Sequence, residues 1–165
     1  GLKDTFRSLQ RLEFCLSLNQ NKSKADASNF VKLLGSCEKL EELILGINPT
    51  GVTNEKDLNI LTTAIGELRK LTLLDFSLGR IKREGLKNIF TSVVKDLNEL
   101  NAFRIRLNES YFSDEEIVAL GQILIEKKKL RSVFIAGNFP SITHEGKIWF
   151  VSTLRSRGIK TPPLT

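Results

Sequence analysis

The chain has 165 residues, of which 41% are hydrophobic and 27% are charged, an ordinary composition for one soluble domain. No apolar run approaches the roughly 18 residues of a membrane-spanning helix, and no charged start followed by an apolar stretch indicates a signal peptide. Two cysteines, Cys15 and Cys37, and one histidine are too few for a disulfide framework or a tetrahedral zinc site. We therefore expect a cytoplasmic domain without metal or cofactor.

A pattern of apolar residues closed by a small polar residue, L-x-x-L-x-L-x-x-N, recurs along the chain. A loose copy begins at Leu9 and has an extra residue or two before Asn19. Later copies begin at Leu40, Leu71, Leu100 and Leu130, so successive starts are 31, 31, 29 and 30 residues apart. Such near-constant spacing predicts a solenoid of five repeats.

Within each repeat the apolar period changes from two residues to three or four, which predicts a short strand followed by a helix. The predicted buried helix faces are, in chain order, Ala27, Phe30, Leu34 and Cys37; Leu58, Leu61, Ile65 and Leu68; Leu86, Ile89, Val93 and Leu97; Ile117, Leu120 and Leu124; and Ile148, Val151 and Leu154. Right-handed crossovers between the strands predict one parallel sheet with the helices outside.

Several local signals mark where these elements begin and end. Thr53 is a candidate cap for the second helix, Ser113 with Glu116 forms a capping-box sequence, and Thr143 is a candidate cap for the last helix, which Gly158 should end. The segment from Gly46 to Thr53 is predicted as a polar loop. Residues 159–165 contain two prolines and are predicted to form an exposed tail. Both cysteines are expected to fill space as buried thiols.

These repeats resemble the leucine-rich repeats, and their length with a helical second half resembles the ribonuclease-inhibitor-like subclass, which includes NOD-like receptors and Ran GTPase activators. The resemblance covers residues 8–158. It implies an α/β horseshoe with the parallel sheet on the concave face and the helices on the convex face. It also implies that Asn48, Asn108 and Asn138 bond to neighbouring backbone, with Gly79 in that place in the third repeat. We expect one domain over residues 1–165. Since the chain starts with glycine and has no methionine, we expect a fragment of a longer protein.

Catalysis is not expected from this sequence. It has no phosphate-binding glycine loop, no dinucleotide fingerprint and no H-E-x-x-H helix. The single histidine, His144, has no serine, cysteine or aspartate at a repeat position that would bring the two side chains together. No loop matches the catalytic arginine and asparagine setting of the Ran activators, so no such residues are assigned.

Binding is expected on the concave face, where alternate strand residues form three parallel columns. The predicted protein-binding site consists of Glu42, Ile44, Leu73, Asp75, Arg104, Arg106 and Phe134. Aromatic, aliphatic and arginine side chains are the anchors typical of protein contact sites. The alternative is that these scattered apolar residues have no partner at all.

The distribution of charge suggests a second kind of partner. Residues 1–79 contain 10 basic and 10 acidic residues, whereas residues 80–165 contain 15 and 9, so the net charge of +6 lies in the second half. Its densest part is the basic patch of Lys127, Lys128, Lys129 and Arg131. Such a patch can bind nucleic acid or anionic lipid, although no aromatic residues are interleaved to stack on bases.

We predict a noncatalytic protein–protein interaction module, for ligand sensing or scaffolding within a larger intracellular protein. Nucleic-acid or anionic-membrane binding, and regulation of the Ran-activator type, are the alternatives.

Overall fold

Strands and helices alternate along the chain. The computed structural model describes residues 2–16, 23–52, 55–80, 87, 89–107 and 112–164; within these ranges the side chains of residues 2–4, 23–26, 48–52 and 92 are not described. The described strands are β1 (Arg11–Leu16), β2 (Glu42–Val52), β3 (Leu73–Arg80), β4 (Ala102–Leu107) and β5 (Ser132–Gly137). The described helices are α1 (Leu2–Arg7), α2 (Ser23–Gly35), α3 (Glu55–Gly66), α4 (Asp114–Ile125) and α5 (His144–Ser156), with a π-helical segment, π1 (Ile89–Val94), between β3 and β4.

The strands form one parallel sheet in the order β1-β2-β3-β4-β5. Equivalent positions of successive repeats are paired directly, as in Leu43 with Leu74, Leu74 with Phe103, and Phe103 with Val133. These four side chains are buried and form one row of the core. The predicted repeat register and the α/β solenoid are therefore confirmed.

The core lies between the sheet and the helices, because strand residues of one parity and one face of each helix are buried together. The predicted faces of α2, α3 and α4 are buried, apart from the half-buried Leu68. Caps begin two helices as predicted. The backbone nitrogen of Ser113 donates to Glu116 Oε2 at 3.0 Å, and Thr143 Oγ1 accepts from the nitrogen of Gly146 at 3.0 Å. Thr53 lies outside the described residues.

The last helix buries a different face from the one predicted. Phe150 and Leu154 of α5 are buried with Gly146, whereas Ile148 is 54% exposed and Val151 is half-buried. The buried residues are spaced by four rather than by three. Helix α4 approaches closely here, since a β-carbon added at Gly121 would lie 2.8 Å from the ring of Trp149 and 3.3 Å from that of Phe150. Of these two rings, Phe150 is buried and Trp149 is half-buried.

Other predictions have mixed outcomes. The third helix is the π-helical π1; its predicted face is buried at Ile89, Val93 and Leu97, and Leu86 lies outside the described residues. Strand β2 continues to Val52, where a loop was predicted. Asn138, which the resemblance predicts to bond to neighbouring backbone, is exposed; Asn108 lies outside the described residues, and the side chain of Asn48 is not described. Cys37 is buried, which raises the pKa of its thiol, but Cys15 is exposed because β1 has a sheet neighbour on one side only.

The predicted tail instead closes the far edge of the sheet. Lys160 is bridged in parallel to Ser132, its backbone nitrogen donates to the Arg131 carbonyl, and its carbonyl accepts from Val133. Ile159, Thr161 and Leu164 are buried. We call residues 159–164 the C-terminal strap. The prolines end strand pairing but leave the preceding residues free to pair, so the prediction of an exposed tail is corrected.

Candidate functional site

The concave face of the sheet, which faces away from the helices, carries the predicted columns in register. They are Arg11, Glu42, Leu73, Ala102 and Ser132; Glu13, Ile44, Asp75, Arg104 and Phe134; and Cys15, Gly46, Ser77, Arg106 and Ala136. All seven residues predicted for the protein-binding site thus lie on one face, on strands β2 to β5. Parallel strands are about 4.8 Å apart, so neighbours within a column can touch one extended ligand together.

Asp75 lies at the centre of this face and is buried, contrary to the expectation of an exposed charge. Its Oδ1 accepts a hydrogen bond from Arg106 Nη1 at 2.6 Å, and its Oδ2 lies 4.0 Å from Arg104 Nη1. Both arginine side chains remain about half exposed. The carboxylate therefore holds the guanidinium of Arg106 by a hydrogen bond and lies close to that of Arg104, while about half of each arginine side chain stays exposed.

Phe134 is the large apolar residue of the predicted site that reaches solvent. Its side chain is 37% exposed, and the guanidinium carbon of Arg106 lies 5.7 Å from the centre of its ring. This distance is within the range of a cation–π contact. An exposed aromatic ring fixed by an arginine that is itself fixed by Asp75 is a preorganised contact point.

A hollow of about 460 Å³ opens beside Phe134. Its walls come from β4, β5 and the C-terminal strap, and the residues that line it are Arg104, Arg106, Ser132, Val133, Phe134, Lys160, Thr161 and Pro162. Lys160 and Pro162 did not figure in the sequence-based site, because the strap was predicted to be a tail. In the sequence, residues 159–162 alternate between apolar and charged side chains only once, and such a short run does not predict a strand.

The opposite end of the concave face is more acidic. Arg11 Nη1 donates to Glu42 Oε2 at 2.8 Å, and Arg11 Nη2 lies 3.6 Å from Glu13 Oε2. All three side chains are well exposed. Ile44 and Leu73 are half-buried, so they offer less apolar area than Phe134. The face therefore changes from acidic beside β1 to basic beside the strap.

The predicted basic patch is divided by the structure. Lys127 is buried, and its Nζ donates to the Lys95 carbonyl and to Asn98 Oδ1. Burial lowers the pKa of Lys127, and the nearby Asp96 and Glu126 oppose this shift. The turn after α4 directs this side chain onto the preceding repeat. Lys127 thus joins repeats and is not available to a ligand.

The remaining members of the patch lie on the surface. Lys129 forms an ion pair with Glu99, whereas Lys128 and Arg131 are exposed. The ion pair partly neutralises the patch. Within the part of the chain that the structure describes, no three histidine, cysteine or acidic side chains are grouped so that they could hold a metal ion. Likewise, no described helix is long and apolar enough to cross a membrane.

A single parallel sheet of in-register repeats with helices on one face is a leucine-rich-repeat fold. No family model matches the chain, and no curated protein matches its sequence. Among solved structures, the chain is similar to leiomodin-1 actin-binding site 2, with a TM-score of 0.59 and 14% sequence identity over 95% of this chain and 84% of that one. At this identity the similarity shows the fold alone. The site must be interpreted from its own residues.

Proposed function

We propose that this chain is a noncatalytic protein-interaction module that recognises its partner through the concave face of β2 to β5. Ile44, Leu73, Arg104 and Phe134 are the proposed anchors. The observation that carries the proposal is the exposed ring of Phe134 beside Arg106, which the buried Asp75 holds by a hydrogen bond, with Arg104 close to the same carboxylate. Aromatic and arginine side chains are the residue types that most often dominate protein interfaces.

The geometry of the sheet favours this use. Side chains on a paired parallel sheet are regularly spaced, and a ligand can contact them without ordering a loop. The conformational entropy lost on binding is then small, so a few desolvated anchors can supply most of the affinity. Arg104, Arg106 and Phe134 occupy adjoining positions of two adjacent strands, so one partner segment can reach them together.

The structural similarity fits this proposal only in general terms. The similar solved structure is named as an actin-binding site, so the same fold serves protein binding elsewhere. Because the repeats, with their helical second halves, resemble those of the ribonuclease-inhibitor-like subclass, we propose a sensing or scaffolding role in the cytoplasm. None of this designates actin, or any other particular protein, as the partner.

Nucleic-acid binding is the weaker candidate. With Lys127 buried and Lys129 paired to Glu99, the basic patch offers few free cations for phosphates. Binding of nucleic acid would fall steeply with added salt, because it releases counterions, whereas recognition through Phe134 would depend on salt much less. Titrating duplex DNA and RNA into the protein at low ionic strength tests this directly, and lack of binding there would exclude it.

The concave site can be tested without a known partner. Peptides would be selected from a random library against the immobilised chain, and their dissociation constants measured for the wild type, Phe134→Ala and Arg104→Ala. We expect each substitution to weaken binding by about 1 to 2 kcal/mol, while thermal unfolding stays nearly unchanged because neither side chain enters the core. Lys87→Glu, an exposed position away from the concave face, is the control and should be silent. Peptides that tolerate both concave substitutions together but are lost with Lys87→Glu would contradict the proposal.

A further inference from the structure

We infer that the hollow between β4, β5 and the C-terminal strap receives an acidic side chain, and that the partner segment seated there is a short acidic peptide with an adjoining apolar residue. This inference rests on the proposed function, since it gives the chemistry of the partner at one end of the same face. The hollow is bounded by a strand pair on one side and by the strap on the other. It is therefore an open recess at the edge of the sheet where the strap lies.

The charge of the hollow carries the inference. Arg104, Arg106 and Lys160 line it, and none of the described residues that line it is acidic. Asp75 lies next to the two arginines as the nearest described carboxylate bonded to them, so three positive charges and one negative charge leave a balance of +2. Asp75 already accepts the hydrogen bond from Arg106, but about half of each arginine side chain stays exposed. A carboxylate is the protein group whose paired oxygens match a guanidinium fork.

The strap supplies the third cation by its register. A residue bridged in parallel to Ser132 directs its side chain to the same face of the sheet as Ser132 does. Ser132 belongs to the concave face, and Lys160 is its bridged partner. The exposed Lys160 side chain therefore faces the arginines of β4 across β5. The strap thus completes the site as well as closing the edge of the sheet.

An apolar contact accompanies the charges. Phe134 and Pro162 both line the hollow and are exposed, so an apolar side chain next to the acidic one would lie against them. The volume of about 460 Å³ lies within the range of about 300 to 1,000 Å³ that is usual for ligand recesses. One or two peptide side chains fill such a space.

A peptide fits this face better than a nucleic acid does. The concave surface carries Glu13 and Glu42 at its other end, so a long polyanion lying along the columns would meet acidic side chains. A short acidic segment can remain over β4, β5 and the strap. The change of sign along the face also sets the direction of a longer partner, with its acidic part at the strap and any basic part towards β1.

The test uses a fluorescein-labelled short peptide of alternating glutamate and phenylalanine, its glutamine counterpart, and fluorescence anisotropy on the whole chain. Lys160→Glu is the variant, because its exposed side chain can reverse charge while the backbone bridge to Ser132 is kept. Arg131→Glu is the matched control. It makes the same change of charge at an exposed position that does not line the hollow.

We expect the glutamate peptide to bind and its affinity to fall at least about tenfold in Lys160→Glu and in Phe134→Ala, with little change in Arg131→Glu. Equal binding of the glutamine peptide would overturn the inference that the hollow receives an acidic side chain. Equal losses of affinity in Lys160→Glu and Arg131→Glu would overturn it too, because they would indicate a general attraction between charges. Displacement of the peptide by duplex DNA with equal loss in both variants would favour a polyanion instead. If library-selected peptides lose affinity in Phe134→Ala but contain no acidic residues, this inference fails while the concave proposal stands.

Discussion

Arg106 of β4 donates from Nη1 to Oδ1 of Asp75 on β3 at 2.6 Å, and the two residues are 31 positions apart in the sequence. The sheet partner of Asp75 on β4 is Arg104, and Arg106 lies two positions further along the same strand. The ion pair therefore joins successive units of the solenoid. Arg104 approaches the same carboxylate at 4.0 Å. Removal of the carboxylate therefore affects two functions, the stability of the repeat junction and the orientation of the arginines on the concave face.

The first prediction follows from the burial of Asp75. In Asp75→Asn the side chain keeps its shape but loses the charge that pairs with Arg106, and we expect the free energy of unfolding to fall by about 1 to 2 kcal/mol. Urea unfolding followed by circular dichroism measures this. Glu42→Gln is the matched control, because the Glu42 pair with Arg11 is exposed and such pairs contribute about 0 to 1 kcal/mol. Equal stability of the two variants would contradict the account.

The second prediction compares adjacent leucines on opposite faces of β3. Leu74 is buried in the core row, whereas Leu73 is half-buried on the concave face. Leu74→Ala should lower the free energy of unfolding by about 2 to 5 kcal/mol, because it leaves a cavity as well as losing buried apolar area. Leu73→Ala should cost clearly less. If both cost the same in urea unfolding, the strand does not present these faces as described.

The fold could be predicted from the sequence because its main determinants repeat. Leu43, Leu74, Phe103 and Val133 occupy the same position in four units, and a one-residue error in register would move all of them to solvent. The same alternation predicted which residues share the concave face. The repeat period thus specifies how the strands pair, and this register can be predicted without knowing any single contact.

Features that occur once were not predicted. The burial of Lys127 depends on a carbonyl in the preceding repeat, and the inward face of α5 depends on the space that Gly121 leaves for Trp149. The pairing of the strap with β5 has no counterpart in the earlier repeats. Because Lys160 lies on this strap, the basic hollow could not be recognised from the columns alone. Tertiary contacts without periodicity leave no pattern in the sequence.

The third prediction concerns the pH dependence that Lys127 introduces. Burial lowers its pKa in the folded protein, so between that lowered value and the ordinary value of 10.5 the unfolded chain binds more protons than the folded one. The free energy of unfolding contributed by Lys127 therefore rises with pH across this window. In Lys127→Gln, which can still donate to the Lys95 carbonyl, this rise should disappear.

The pH dependence of unfolding must be compared between the wild type and Lys127→Gln, because Cys37 also titrates in the alkaline range. Burial raises the pKa of its thiol above 9.0, so its contribution to stability falls with rising alkaline pH, opposite in sign to that of Lys127. Subtracting the unfolding free energy of Lys127→Gln from that of the wild type at each pH removes the cysteine contribution. A difference that stays flat up to pH values near 10.5 would show that the Lys127 ammonium is not desolvated in solution.

The fourth prediction tests the C-terminal strap as a structural element. Leu164 is buried at the end of the strap, whereas the neighbouring Pro163 is exposed. Leu164→Ala should lower the free energy of unfolding by about 2 kcal/mol, the lower end of the range for such truncations, and Pro163→Ala should change it by less than about 0.5 kcal/mol.

Deleting the whole strap, so that the chain ends at Gly158, should lower the free energy of unfolding further. This deletion also removes Ile159 and leaves the backbone of β5 unpaired at the sheet edge. Exposed strand edges pair with other chains, so this truncated form should self-associate in analytical ultracentrifugation. A truncated chain that stays monomeric and unfolds at the wild-type urea midpoint would show that the strap neither closes the edge nor contributes to the core.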